Sequence, residues 1–395
     1  MSLDLRVILL WLISFPYLQV GFSVSDVSPY WLIVGFAIVA KGLRFSVVEA
    51  VLFIAVLSSI TFSGTLSFAD LRGLIPAIGF GLALALGCRL KMDNAMLRRH
   101  LRLIVIIYIM AGLIQLYINP DVFTFATSRD FGYAGRGGRG VESLTAEPTF
   151  LGFISLIFIF ISYVEQDRRL MWLSIFLLFF ISRSSSAIAS FFIILATFPL
   201  TNIVKIIVNS FALMKISRRQ LKVIVVNTLI CFLMFFIFSR LFQSLRISSI
   251  LNAGFNIDAL LAFPSINDRI SHIYASHYLA FQNLLMPHGY NSFYNEIQVL
   301  KTQTPWMGVI GGANGRIMSL SGSFLYELGI IGGFILCSFY YFFYKSVVQI
   351  NRDVSISLVL TLAVALVTLQ AIPVGLPTLP FFVALYSSRY KSNAK

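Results

Sequence analysis

The sequence predicts an all-α, polytopic membrane protein of about twelve spans, and three observations predict it. Hydrophobic residues make up 58% of the 395-residue chain and charged residues only 12%, with 38 Phe and a mean hydropathy of +0.87. A soluble domain carries roughly 25% charged residues. Apolar runs near bilayer-crossing length recur along the whole chain. Lys and Arg concentrate in alternate connections, as the positive-inside rule requires.

The runs lie at about 5–22, 29–41, 46–62, 73–89, 101–118, 148–164, 170–182, 186–204, 222–242, 320–344, 354–371 and 376–388. Each is judged against the roughly 20 residues a helix needs to cross hydrocarbon. Residues 1–22 lack a small-residue cleavage site and read as a first span, not a removed leader. The second, seventh and twelfth runs are short. Residues 205–221 have an apolar run of their own, suited to an interfacial helix or to part of a neighbouring span.

The charges orient the bundle. With the N-terminus in the cytoplasm, the cytoplasmic segments are 41–44, 89–102, 165–169, 205–222, 345–353 and 389–395. With Arg6, these short segments hold 20 of the 30 Lys and Arg. Both termini are expected in the cytoplasm. The net charge of +14 then follows from topology and calls for no nucleic acid. Cys88, Cys231 and Cys337 lie in or at the ends of apolar runs, where they are expected as packing residues. No internal repeat of fixed period is visible.

Residues 1–395 read as one transmembrane domain with two long outward loops, 119–147 and 243–319. Loops of this length in a compact protein are usually functional or disordered. The second loop has an apolar stripe at helical spacing, from Ile270 through Tyr274, Tyr278 and Phe281. At least one helix is expected there, from about Ile266 to Met286, stopped by Pro287 and Gly289.

Several residues in these loops could carry chemistry. The stretch from Arg129 to Gly140 holds Arg129, Arg136 and Arg139 among five glycines, and Glu142 and Glu147 follow. Glycine allows close backbone approach. Arginine offers a planar fork that suits phosphate. The plainer reading is a solvated, flexible loop. Arg183, between Ser182 and Ser184, ends a span on the outer side. It is either an anion ligand or a snorkelling side chain. Arg269 follows Asp268 at a helix start, either as an anion ligand or as a salt-bridged surface residue. His272 and His277 are five apart and share no helix face well, which argues against metal ligation. Glu327 sits about two turns into an apolar helix and needs a partner or water. No nucleotide-binding pattern or acidic metal pair is visible, so neither nucleotide sugar, cofactor nor metal is expected.

On these residues the chain resembles the O-antigen polymerase family (Wzy) and, more distantly, the O-antigen ligases. The resemblance rests on the many-span layout with two outer loops. It also rests on the Arg129-to-Gly140 spacing and on Glu147-Pro148 at a span start. The block of Arg269, Gly289 and Ser319 to Gly333 adds to it, as does Ser182-Arg183-Ser184. The second loop has no Arg–Gly pair at the same spacing, since Arg246 leads to Ile257 and Arg269 to Ala280. The ligase-type histidine before the late helix is absent from residues 319–323.

The resemblance implies a membrane glycosyltransferase with a GT-C-like bundle, acting on undecaprenyl-diphosphate-linked glycan donor and acceptor. The site would face the periplasm, at the inner membrane of a bacterium, with a chain-length regulator protein as a further partner. A diphosphate leaves readily once its charge is met, so Arg183 and Arg269, then Arg136, Arg139 and Arg129, are the expected diphosphate ligands. Glu147 is the leading base and His272 the second; Gly140 and Gly289 are the turns. A flippase of lipid-linked glycans and an O-antigen ligase are the alternative readings.

Overall fold

The computed structural model describes residues 4–18, 30–40, 68–90, 92–127, 140–195, 264–289, 292–307, 317–351, 354–369 and 376–393, with a few single positions between 222 and 262. The described residues form helices, with no strand among them. The helices are α1 (Leu5–Ser14), α2 (Tyr30–Ala40), α3 (Phe68–Arg89), α4 (Asn94–Tyr117) and the one-turn α5 (Thr124–Thr127). Then come α6 (Pro148–Val164), α7 (Arg168–Phe176) with a π-helical continuation over Leu177–Ser182, and α8 (Ser185–Leu195). The rest are α9 (Pro264–Gln282), α10 (Phe293–Gln303), α11 (Leu320–Glu327), α12 (Gly329–Asn351), α13 (Val354–Leu369) and α14 (Thr378–Asn393). Among the described residues, α4 alone is long and apolar enough to cross a membrane by length and composition.

Local chemistry starts these helices. Asp93 caps α4 by accepting from the backbone N–H of Ala95 and Met96, and Asp167 caps α7 through Arg169 and Leu170. Pro148 opens α6 at the first helical position, where its missing N–H costs nothing. Ser319 caps α11 by accepting from Gly322 N–H at 3.1 Å.

The abundant Phe residues knit the core. Phe80 of α3 meets Phe324 of α11 and Phe339 of α12 edge-on, with ring centroids 5.0 and 5.6 Å apart. α14 lies on α3 so closely that a Cβ on Gly87 would fall 2.2 Å from the Phe381 carbonyl oxygen. The Thr378 hydroxyl also donates to the Ile13 carbonyl at 2.9 Å.

One end of the bundle carries ion pairs. Arg102 Nε donates to the buried Asp167 carboxylate at 2.7 Å, and Arg98 lies 3.5 Å from Glu165. Burial alone would raise the Asp167 pKa, but the Arg102 contact and two backbone N–H groups outweigh it and hold it low. These contacts join residues 89–102 to residues 165–169, two segments expected on the same side.

Two features depart from expectation, and a third adds to it. Residues 320–344 do not form one continuous helix. Gly329, at φ 61°, breaks it between α11 and α12, and Ile330 N–H donates to the Leu285 carbonyl across the break. The second loop, where at least one helix was expected, holds two, α9 and α10. Cys88 and Cys337 are exposed on outward helix faces and are not core packing residues, while Cys231 lies outside the described residues.

Candidate functional site

The end of the bundle opposite the Asp167 ion pairs is built from three stretches distant in sequence. The first is residues 140–147, which are not a solvated loop. Val141 through Ala146 are all buried. Ser143, with φ 53°, donates from its N–H to Gln115 Oε1 at 2.6 Å and from Oγ to the Tyr108 carbonyl at 2.7 Å. Gly140 allows the strand of chain to reach its neighbour. A Cβ there would fall 2.1 Å from the Ser182 carbonyl oxygen and 2.3 Å from that of Ile181. Val141 N–H then donates to the Ile181 carbonyl at 3.0 Å.

The second stretch is the corner it rests on. The π-helical turn Leu177–Ser182 ends at Arg183, whose backbone is left-handed at φ 45°, ψ 28°. Such a conformation is uncommon outside glycine, and π turns are frequent at functional sites. Arg183 N–H donates to the Leu178 carbonyl at 3.1 Å, and its side-chain Nε donates to the Phe180 carbonyl at 3.2 Å. Among the described residues no carboxylate pairs with it. α6 packs against this corner at Gly152, where a Cβ would meet Ala187 at 2.6 Å and Ser184 at 2.8 Å.

The third stretch crosses over both. Arg269, near the start of α9, donates through one terminal nitrogen to Ser186 Oγ and through the other to Thr149 Oγ1, each at 2.7 Å. Ser186 lies three residues past Arg183, and Thr149 two past Glu147. One guanidinium thus ties together the acidic-proline segment, the Ser-Arg-Ser corner and the second loop. These contacts orient the guanidinium through neutral hydroxyl oxygens.

Glu147 occupies the N-cap position of α6, but its side chain makes no capping hydrogen bond. His272 is placed differently. Its ring is 2% exposed and lies 5.7 Å from the Phe293 ring. Nδ1 faces the Met318 N–H at 3.5 Å and Nε2 faces Asp268 at 3.7 Å. Burial lowers its pKa to about 4, outweighing the nearby carboxylate. The imidazole is thus packed inside the second loop, between α9, α10 and Met318.

The remaining candidates are accounted for as follows. Arg129, Arg136 and Arg139 lie outside the described residues. Gly289 takes the expected turn, at φ 74°. His277 donates from Nδ1 to the Ile273 carbonyl at 2.7 Å, and burial lowers its pKa. Glu327 accepts from the Ser323 hydroxyl, its expected partner. Among the described residues no group of three or more His, Cys, Asp or Glu is placed to hold a metal ion. Sequence reasoning missed Thr149 and Ser186, and it noted Glu142, which is buried within 140–147, without giving it a role.

Comparison of the chain with protein-family models, with characterised proteins and with solved structures finds no match.

Proposed function

We propose that this chain is a multi-pass glycosyltransferase of the bacterial inner membrane. It polymerises undecaprenyl-diphosphate-linked oligosaccharide repeats at the periplasmic face. The observation that carries the reading is the Arg269 bridge to Thr149 and Ser186. It gathers two arginines, three serines and a partly exposed carboxylate at one end of an apolar helical bundle. The Arg98–Glu165 and Arg102–Asp167 pairs at the other end support the topology, because they join two segments read as cytoplasmic.

In this reading the donor is the growing glycan on its carrier and the acceptor is the next lipid-linked repeat. The acceptor hydroxyl attacks the donor's anomeric carbon. The new C–O bond forms as the bond to the diphosphate breaks, which inverts that centre. Arg269 and Arg183 meet the negative charge that develops on the leaving diphosphate. Glu147 takes the proton from the attacking hydroxyl. In this reading His272, buried against Phe293 of α10, holds α9 in place and leaves the base to Glu147.

The test is purified protein in liposomes with a lipid-linked repeat as the only glycan. A ladder of carrier-linked products of increasing length is the expected result. Movement of the repeat across the bilayer without a ladder would point to a flippase instead. Transfer only when lipid A-core is added would point to a ligase.

A further inference from the structure

The exposed face of α9 is apolar and has no role in the site. Ile270, Tyr274, Tyr278 and Phe281 recur at spacings of four, four and three, on the side opposite buried Ala275, Leu279 and Ala280. Tyr274 and Tyr278 stack with centroids 5.4 Å apart. From Ile270 to Met286 there is no Asp, Glu, Lys or Arg. The helix then ends in a tip. Leu284 and Leu285 both take left-handed backbones, at φ 53° and 58°, which reverses the chain and turns Leu284 outward at 85% exposure. Met286 is 64% exposed beside it.

This tip is fixed to the start of α12. Ile330 N–H donates to the Leu285 carbonyl at 2.8 Å, and a Cβ on Gly329 would lie 2.3 Å from that same oxygen. The adjoining outward residues of α12, Ile330 and Phe334, are 66% and 69% exposed. The apolar surface therefore passes from α12 onto Leu284 and Met286 of the tip and along α9, with the exposed Gln282 and Asn283 beside it. Contiguous exposed apolar surface of this kind marks an interaction site. Tyrosines bordering an uncharged apolar tip suit the edge of a bilayer, where an amphipathic ring keeps one end wet. A water-soluble protein partner would ordinarily be met by a partly charged rim, and the residues from Ile270 to Met286 carry no charge.

We propose that the tip from Phe281 to Met286 is a lipid anchor that dips into the outer leaflet and lays α9 along the membrane surface. The inference rests on the membrane reading above. Its consequence for the site is depth. Arg269 stands at the other end of the same helix, so the anchor holds the guanidinium at a fixed height above the hydrocarbon, level with a lipid-borne diphosphate.

The experiment uses the full chain with Cys88, Cys231 and Cys337 replaced by Ser. A nitroxide is attached at Leu284→Cys or at Phe334→Cys, and the protein is reconstituted in vesicles of phosphatidylethanolamine and phosphatidylglycerol. Leu284 is almost fully exposed, so the probe disturbs no packing. Relaxation by oxygen, which collects in hydrocarbon, is compared with relaxation by a water-soluble nickel chelate. The expected result is severalfold higher oxygen than nickel accessibility at both positions. Nickel accessibility at Leu284 with oxygen accessibility at Phe334 overturns the anchor and leaves the membrane reading intact. Nickel accessibility at both positions overturns the two together. Strong spin–spin broadening at Leu284 would put a second copy of the chain on this face in place of lipid, and also overturns the anchor.

Discussion

Gly140→Ala is the sharpest probe of how the 140–147 segment is seated. In an open loop this change stabilises by roughly 0.4–1 kcal/mol, because it restricts the unfolded chain. Here the added methyl would stand 2.1 Å from the Ser182 carbonyl oxygen and 2.3 Å from the Ile181 carbonyl oxygen, against ordinary contact from 3.4 Å. All the close atoms are backbone, so none can swing aside. The segment must shift by about 1 Å, a strain worth roughly 1–3 kcal/mol. The shift also breaks the buried bond from Val141 N–H to the Ile181 carbonyl, worth about 1 kcal/mol. After the entropic gain is subtracted, a net loss of about 1–3 kcal/mol is expected. The assay is the thermal midpoint of the purified protein in detergent, followed by fluorescence. A fall of several degrees is expected, together with reduced polymer, because the same contact sets the Arg183 corner. An unchanged or raised midpoint would show that residues 140–147 do not pack on the π-helical turn as described.

Three further outcomes follow from the site. Arg269→Ala should lower polymer formation by roughly 10²–10³-fold with insertion intact, and Arg269→Lys should restore only part of it, since Lys lacks the planar fork; full activity in the Ala variant removes Arg269 from the site. Glu147→Gln should cut ladder formation by roughly 10²-fold with expression unchanged, because an amide accepts no proton; wild-type ladders from this variant would show that another group takes the proton. His272 is neutral in the folded chain, with its pKa lowered to about 4 from 6.5. Its contribution to stability is therefore full above pH 6.5 and is lost as pH falls toward 4, by about 2 kcal/mol at pH 5. The drop in midpoint between pH 7 and pH 5 should shrink in His272→Gln, and an identical drop in both proteins would refute the assignment.

The helical class was legible because hydrophobic content and charge spacing are properties of the chain itself. The start of α6 was legible for a local reason, since Pro148 is suited only to a first turn. The same holds for α9, whose stripe repeats at helical spacing. α10 was overlooked although Phe293, Ile297 and Leu300 follow that spacing too, because its polar residues resemble the loop around it. The π-helical turn could not be read from Leu-Leu-Phe-Phe-Ile-Ser, since an extra residue per turn leaves no mark in an all-apolar run. Arg183, Arg269 and Glu147 stood out as charges beside apolar segments. Their hydroxyl partners did not, because Ser and Thr are common and the Arg269 bonds span 83 and 120 residues. The break at Gly329 also depends on a distant group, the Leu285 carbonyl.

The seat of α14 has a consequence for how the chain is made. α14 fills the cleft beside Gly87 and satisfies the Ile13 carbonyl through Thr378, a contact spanning 365 residues. A ribosome adds roughly 5–20 residues per second, so that partner arrives roughly 20–70 s after α1 has left the tunnel. Through that interval the first helices present an unfilled groove and an unmatched peptide oxygen. The earliest part of the bundle is thus the last to close.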